Sequence, residues 1–202
     1  AKLNETEVPM SRLDKAIEIA TRKRNQTNDI HQSPVTEEPV ELNDVVSSPQ
    51  RSRPSITSNF NNPFLVTIND QNSPAAEQYR KLKSLIVKLT EMGELDKALM
   101  ITSSVAGEGK TLTSLNLAIT MAQDYDHTVL LVEADIRKPS ILRYLELESQ
   151  TGLTDCVLDD LDVGEVLVKT GIGSLTVLPA GRTVDNPVEL FSSKKMTSLF
   201  HE

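Results

Sequence analysis

Apolar residues are unevenly spread along this chain of 202 residues. Near the start, Leu13, Ala16, Ile17 and Ala20 recur at helical spacing. Ser11 with Asp14 resembles a capping box, and Arg22, Lys23 and Arg24 suit the dipole at the far end. A short amphipathic helix is predicted within 1–24. Its apolar face is narrow and lacks aromatics, which favours a capped, solvated helix over one that docks on a partner or an anionic membrane. From Asn25 to about Asn62 no period is sustained; Pro34, Pro39, Pro49 and Pro54 interrupt a run of Ser, Thr, Asn and Glu, and 25–62 reads as a disordered linker.

Periodicity resumes at Pro63 and continues to the end, so 63–202 is the expected folded domain. Phe64, Leu65, Val66 and Ile68 predict an extended segment. Ser73 and Pro74 then supply the N-cap and first position of a helix whose buried stripe is Leu82, Leu85, Ile86 and Leu89. Glu77, Arg80 and Lys83 lie on a neighbouring face at the spacing of helical ion pairs. Ala98 to Ile101 reads as a strand, Lys110 to about Gln123 as a helix with Leu112, Leu115 and Ala118 inward, and Thr128 to Val132 as a strand buried on both faces. Beyond it, Pro139 opens a helix through Leu145, and helical pieces follow at 154–158 and 163–169. Ser174 to Leu178 is a third buried strand. Asn186, Pro187 and Glu189 start a last helix carrying Leu190, Phe191, Met196 and Leu199. Strand alternating with helix in this way predicts an α/β fold, a doubly wound and mostly parallel sheet.

Composition narrows the picture. A net charge of -8 argues against a nucleic-acid binder, which would carry a basic stripe. Cys156 stands alone, so a reducing compartment and a small core residue are expected. No apolar run approaches the roughly 18 residues of a bilayer span and no signal-peptide pattern opens the chain, so the protein reads as cytoplasmic.

The chemistry concentrates between the first two strands and after the second. Ala106, Gly107, Glu108, Gly109, Lys110, Thr111 and Leu112 form the glycine-rich turn into a helix that cradles phosphate. Backbone N–H groups and the helix dipole face the anion, Lys110 reaches the β/γ-phosphates and the Thr111 hydroxyl meets Mg²⁺. The first glycine of G-x-x-x-x-G-K-[ST] is replaced by Ser104, which is small enough to keep the loop. Glu133 and Asp135 follow the second strand at the end where parallel sheets bind ligands, and two-residue spacing would put them on one side. No apolar strand ending in Asp follows Leu178. Either the 133/135 pair supports the metal alone, or the chain is a fragment lacking its last strands; the thin sheet and the leading Ala1 favour the fragment.

The runs EQYRKLK (77–83), SSVAGEGKT (103–111) and VEADIRKPS (132–140), in that order, resemble a bacterial tyrosine autokinase. The further runs GLTDCVLDD and SLTVLPAGRTVDNPVELFSSKKMTSLF resemble the exosortase-associated branch, which serves exopolysaccharide synthesis. The resemblance covers about 74–202. It implies ATP-dependent tyrosine phosphorylation with Mg²⁺, Lys110 neutralising phosphate, Thr111 and Asp135 holding the metal, and Arg137 matching the motif's arginine. Glu133 stands where the family has an aspartate that helps deprotonate the substrate tyrosine, whose pKa is about 10. The resemblance also implies a homo-oligomer, with Glu77, Arg80 and Lys83 in place of Glu-x-x-Arg-x-x-Arg. A membrane polysaccharide co-polymerase would act as activator, holding the chain peripherally at the inner face of the plasma membrane. Tyr79, Tyr125 and Tyr144 form no tyrosine cluster. Two other readings stay open: a partitioning ATPase of the MinD/ParA kind, whose loop usually carries a second lysine near its start where Ser104, Val105 and Ala106 stand, and a non-enzymatic nucleotide-binding regulator.

Overall fold

The computed structural model describes residues 18–19, 60, 62–93, 97–124 and 127–201. Apart from Glu18, Ile19, Phe60 and Asn62, the helix expected within 1–24 and the linker over 25–62 lie outside these residues, as does Tyr125. Ile19 is half-buried and rests against Gly164, where an added Cβ would lie 3.0 Å from its Cδ1.

The elements run α1 (Val66–Asn69), α2 (Pro74–Glu91), α3 (Lys110–Ala122), β1 (Val129–Val132), α4 (Ile141–Tyr144), α5 (Leu153–Leu158), α6 (Val163–Val166), β2 (Val168–Lys169), β3 (Leu175–Leu178), α7 (Pro187–Phe191) and α8 (Lys194–His201). The sheet has the order β1-β3-β2. β1 and β3 are parallel, Val129 opposite Leu175 and Val132 opposite Leu178, while β2 runs antiparallel to β3.

Two-residue alternation sorts the strand side chains into two cores. Val129, Leu131, Leu175 and Val177 pack on one face with Leu115, Ala118, Ile119 and Ala122 of α3, Ile141 of α4 and Leu65. Leu130, Val132 and Leu178 pack on the other with Leu153, Cys156 and Val157 of α5, Val163 and Val166 of α6, and Leu190, Met196 and Leu199 near the end. Helices thus cover both sheet faces, as the apolar strands require. Full burial of a side chain such as Leu115 or Ile119 contributes about 1.5–3 kcal/mol, and Cys156 is a core residue.

Several elements differ from the sequence pattern. Residues 98–101 form no strand: Leu99 is 49% and Met100 84% exposed, and no described strand lies beside them to complete a ladder. β1 is only partly buried because it lies at the sheet edge, whereas central β3 is buried throughout. The extended segment expected from Phe64 turns into α1, because Asn62 caps the turn: its Oδ1 accepts from Phe64 N at 3.1 Å and its carbonyl from Leu65 N at 3.0 Å. Of the stripe expected in α2, Ile86 is buried and Leu89 half-buried, while Leu82 and Leu85 are exposed and Ala76 is buried in their place, since the helix meets α1 and α3 along that side. The helix expected over 163–169 ends at Val166, and Val168–Lys169 pairs with the edge of β3 instead. The final helix is two, because the Ser193 hydroxyl accepts from Met196 N at 3.1 Å and starts a new one.

Candidate active site

The loop expected to cradle phosphate leads directly into α3. Gly107 and Gly109 have φ of 89° and 91°, a left-handed conformation that side chains resist, and Gly109 is the N-cap of the helix. Inside the loop the Glu108 carboxylate accepts from Ser104 N at 2.9 Å and Val105 N at 3.0 Å. The loop is thus curled around its own anion, with Ser104 contributing backbone where the motif has glycine. From the first turn of α3, Lys110 and Thr111 face the segment that follows β1.

That segment, 133–140, is a tight loop. Glu133 N continues the parallel ladder by donating to Leu178 O at 2.9 Å, which brings the loop out over the carboxyl ends of β1 and β3. Its carboxylate is only 4% exposed, and Oε1 accepts from Ser140 N and, at 2.9 Å, from Ile141 N. Ile136, 3% exposed, anchors the middle of the loop in the core. Asp135 points the other way: Oδ2 accepts from Lys110 Nζ at 2.5 Å and Oδ1 from Lys138 N at 3.2 Å. Ser140 Oγ stands 3.5 Å from Thr111 Oγ1, and Arg137 is exposed. The helix expected from Pro139 starts at Ile141, whose amide with that of Ser140 is taken by Glu133.

The two carboxylates therefore do not share one side. Strand geometry ends at Val132, and they diverge to different partners. Burial pushes the Glu133 carboxyl above its ordinary value, with backbone bonds from Ile141 and Ser140 opposing. The hydrogen bond from Lys110 holds Asp135 below the usual carboxylate range. One cation, Lys110, and the partly positive end of α3 thus meet one carboxylate and two hydroxyls, an arrangement suited to a polyphosphate and a hard cation.

Sequence reasoning missed Ser140 and Asn116. Ser140 closes the VEADIRKPS run as a small polar residue before a helix, the one signal it carried. Asn116 is 2% exposed on the buried side of α3, where its spacing with Leu112 reads as an ordinary helical position. Its Oδ1 accepts from Thr67 N and Thr67 Oγ1, and its Nδ2 donates to Phe64 O and Leu112 O, which fixes α3 against the 64–67 turn.

No family model matches the chain. Among curated proteins it is 36% identical over 138 residues to tyrosine-protein kinase YwqD of Bacillus subtilis, covering 68% of this chain and 57% of that protein. The fold resembles the kinase domain of the Escherichia coli tyrosine kinase ETK, with TM-score 0.62, 29% identity, and 74% of this chain and 56% of that one covered. It also resembles the chimerical protein CapA2B2, with TM-score 0.58, 31% identity, and 67% and 59% covered. The chain spans little more than half the length of these proteins. By sequence and by fold, the proteins it is similar to are bacterial tyrosine-protein kinases.

Proposed function

We propose that this chain carries the nucleotide site of an ATP-dependent protein-tyrosine autokinase serving exopolysaccharide synthesis. The observation that carries the reading is the convergence of the phosphate-loop lysine on the carboxylate that follows β1, Lys110 Nζ to Asp135 Oδ2 at 2.5 Å. Tyrosine-kinase relatives and the exopolysaccharide-like runs after residue 150 support the wider role.

In this mechanism the backbone of 106–112 and the start of α3 receive the triphosphate, and Lys110 turns from Asp135 to neutralise charge on the β/γ-oxygens. Thr111 and Asp135 would hold Mg²⁺. Among the described residues no group of three or more His, Cys, Asp or Glu is placed to bind a metal, but a nucleotide-bound Mg²⁺ needs only one or two carboxylates beside phosphate and water. When bound, that ion would supply positive charge to the phosphates. Arg137, exposed near the loop tip, can reach phosphate or the incoming chain. The attacking group is a tyrosine hydroxyl, and a loose phosphoryl transition state asks more of positioning and charge than of a base.

Partners follow from the same reading. Glu77 and Arg80 pair with each other at 2.7 Å on the exposed side of α2, where a second copy could engage them, while Lys83 is committed to Asp124. The family resemblance assigns membrane attachment to a co-polymerase partner; no described helix is long and apolar enough to cross a membrane. The test is full-length protein with γ-labelled ATP, assayed for acid-stable phosphotyrosine. Labelled protein is expected, and Lys110→Met should abolish the label while leaving the fold intact. Undiminished labelling in that variant, or free phosphate as the sole product, would refute the kinase reading in favour of an unrelated site or a partitioning ATPase.

A further inference from the structure

Glu133 occupies the position that the family resemblance gives to a base, yet its surroundings are those of a brace. The carboxylate is 4% exposed, and one oxygen accepts both the Ser140 and the Ile141 amide. These partners lie seven and eight residues onward, so the bonds join the start of the loop to its end. Between them, Ile136 fixes the middle in the core and Asp135 Oδ1 takes the Lys138 amide. A loop held at its ends, middle and turn has little freedom left. Its two outward contacts both fall on the first turn of α3: Asp135 on Lys110 and Ser140 Oγ near Thr111 Oγ1.

We propose that Glu133 is a positioning residue: by closing the 133–141 loop it sets Asp135 and Ser140 against Lys110 and Thr111, making Ser140 a second hydroxyl of the nucleotide site. Side-chain length is central to the assignment. From the end of β1, glutamate reaches the amides at the start of α4, and an aspartate would stop one bond short. What the amides require is an acceptor oxygen, which a side-chain amide also offers. The purpose given to the loop rests on the nucleotide reading above, whereas the closure itself does not.

The experiment compares the full chain with Glu133→Gln, Glu133→Asp and Glu133→Ala. Amide hydrogen exchange is followed in the peptide containing 140–141, and a fluorescent ATP analogue is titrated with and without Mg²⁺. Glutamine is expected to keep the peptide protected and the affinity within about threefold, since it retains the acceptor. Aspartate and alanine are expected to lose protection and bind the analogue at least about tenfold more weakly. If alanine fails to fold, aspartate still decides the matter. A glutamine variant as defective as alanine would show that charge rather than closure matters, and an aspartate variant like wild type would remove the length argument; either overturns the proposal. Wild-type protection that requires Glu133, without any nucleotide binding, would uphold the closure and refute the kinase reading.

Discussion

Replacing Asn116 by alanine tests how α3 is held. The side chain makes three long-range hydrogen bonds: from Thr67 N at 3.2 Å, from Thr67 Oγ1 at 3.0 Å and to Phe64 O at 3.0 Å. Asn116 and Thr67 are 2% and 4% exposed, so water cannot readily replace what is lost. At about 1 kcal/mol net for each bond, and more where a buried donor is left unsatisfied, the loss is about 3 kcal/mol. The bond to Leu112 O adds little, because that carbonyl already serves the helix. For a folded unit of this size the thermal midpoint should fall by roughly 6–12 °C. Urea unfolding of wild type, Asn116→Ala, Thr67→Ala and the double variant would measure the total and the coupling. The expected coupling is about 1 kcal/mol for the hydroxyl bond. A loss below about 1 kcal/mol for Asn116→Ala would refute the argument that this residue seats α3.

Other consequences follow from the same physics. Lys83 Nζ lies 2.9 Å from both Asp124 oxygens and ties α2 to the end of α3; a double-mutant cycle with Lys83→Met and Asp124→Asn should give a coupling of about 1 kcal/mol or less that shrinks in high salt, and zero coupling would make the pair merely solvated. Gly152 has extended backbone, but an added Cβ would lie 2.2 Å from Pro179 O, so Gly152→Ala should unfold the α5 junction or cost more than about 3 kcal/mol in denaturant titration, and a benign variant would contradict the close approach. Because burial raises the Glu133 carboxyl above 4.5, the folded state holds more protons than the unfolded state between 4.5 and the raised value, and this group's contribution falls as pH rises through that window. Glu133→Gln should therefore gain on wild type in thermal midpoint as pH rises above 4.5, and a flat or opposite difference would count against the burial argument. Asp135 has the opposite sign: lowered from 3.8 by Lys110, its contribution is complete above that value and is lost as pH falls through the folded-state pKa.

Local signals were legible in the chain itself. Ser73 caps α2 through Ala76 N, Asn186 caps α7 through Glu189 N, and the apolar runs of β1 and β3 lie where strands were expected, because each depends on neighbours a few residues away. Gly107 and Gly109 likewise announced a tight turn into a helix, since that turn is written in adjacent residues. What needs a distant partner was not legible. An apolar run at 98–101 becomes a strand only if another strand lies beside it, and Val168–Lys169 becomes one because β3 offers an edge. The same holds in the site. The sequence determined that Glu133 and Asp135 would follow a strand, two residues apart. Only the tertiary structure decided that one carboxylate turns inward to two backbone amides while the other meets Lys110, because that choice depends on where α4 and α3 begin in space.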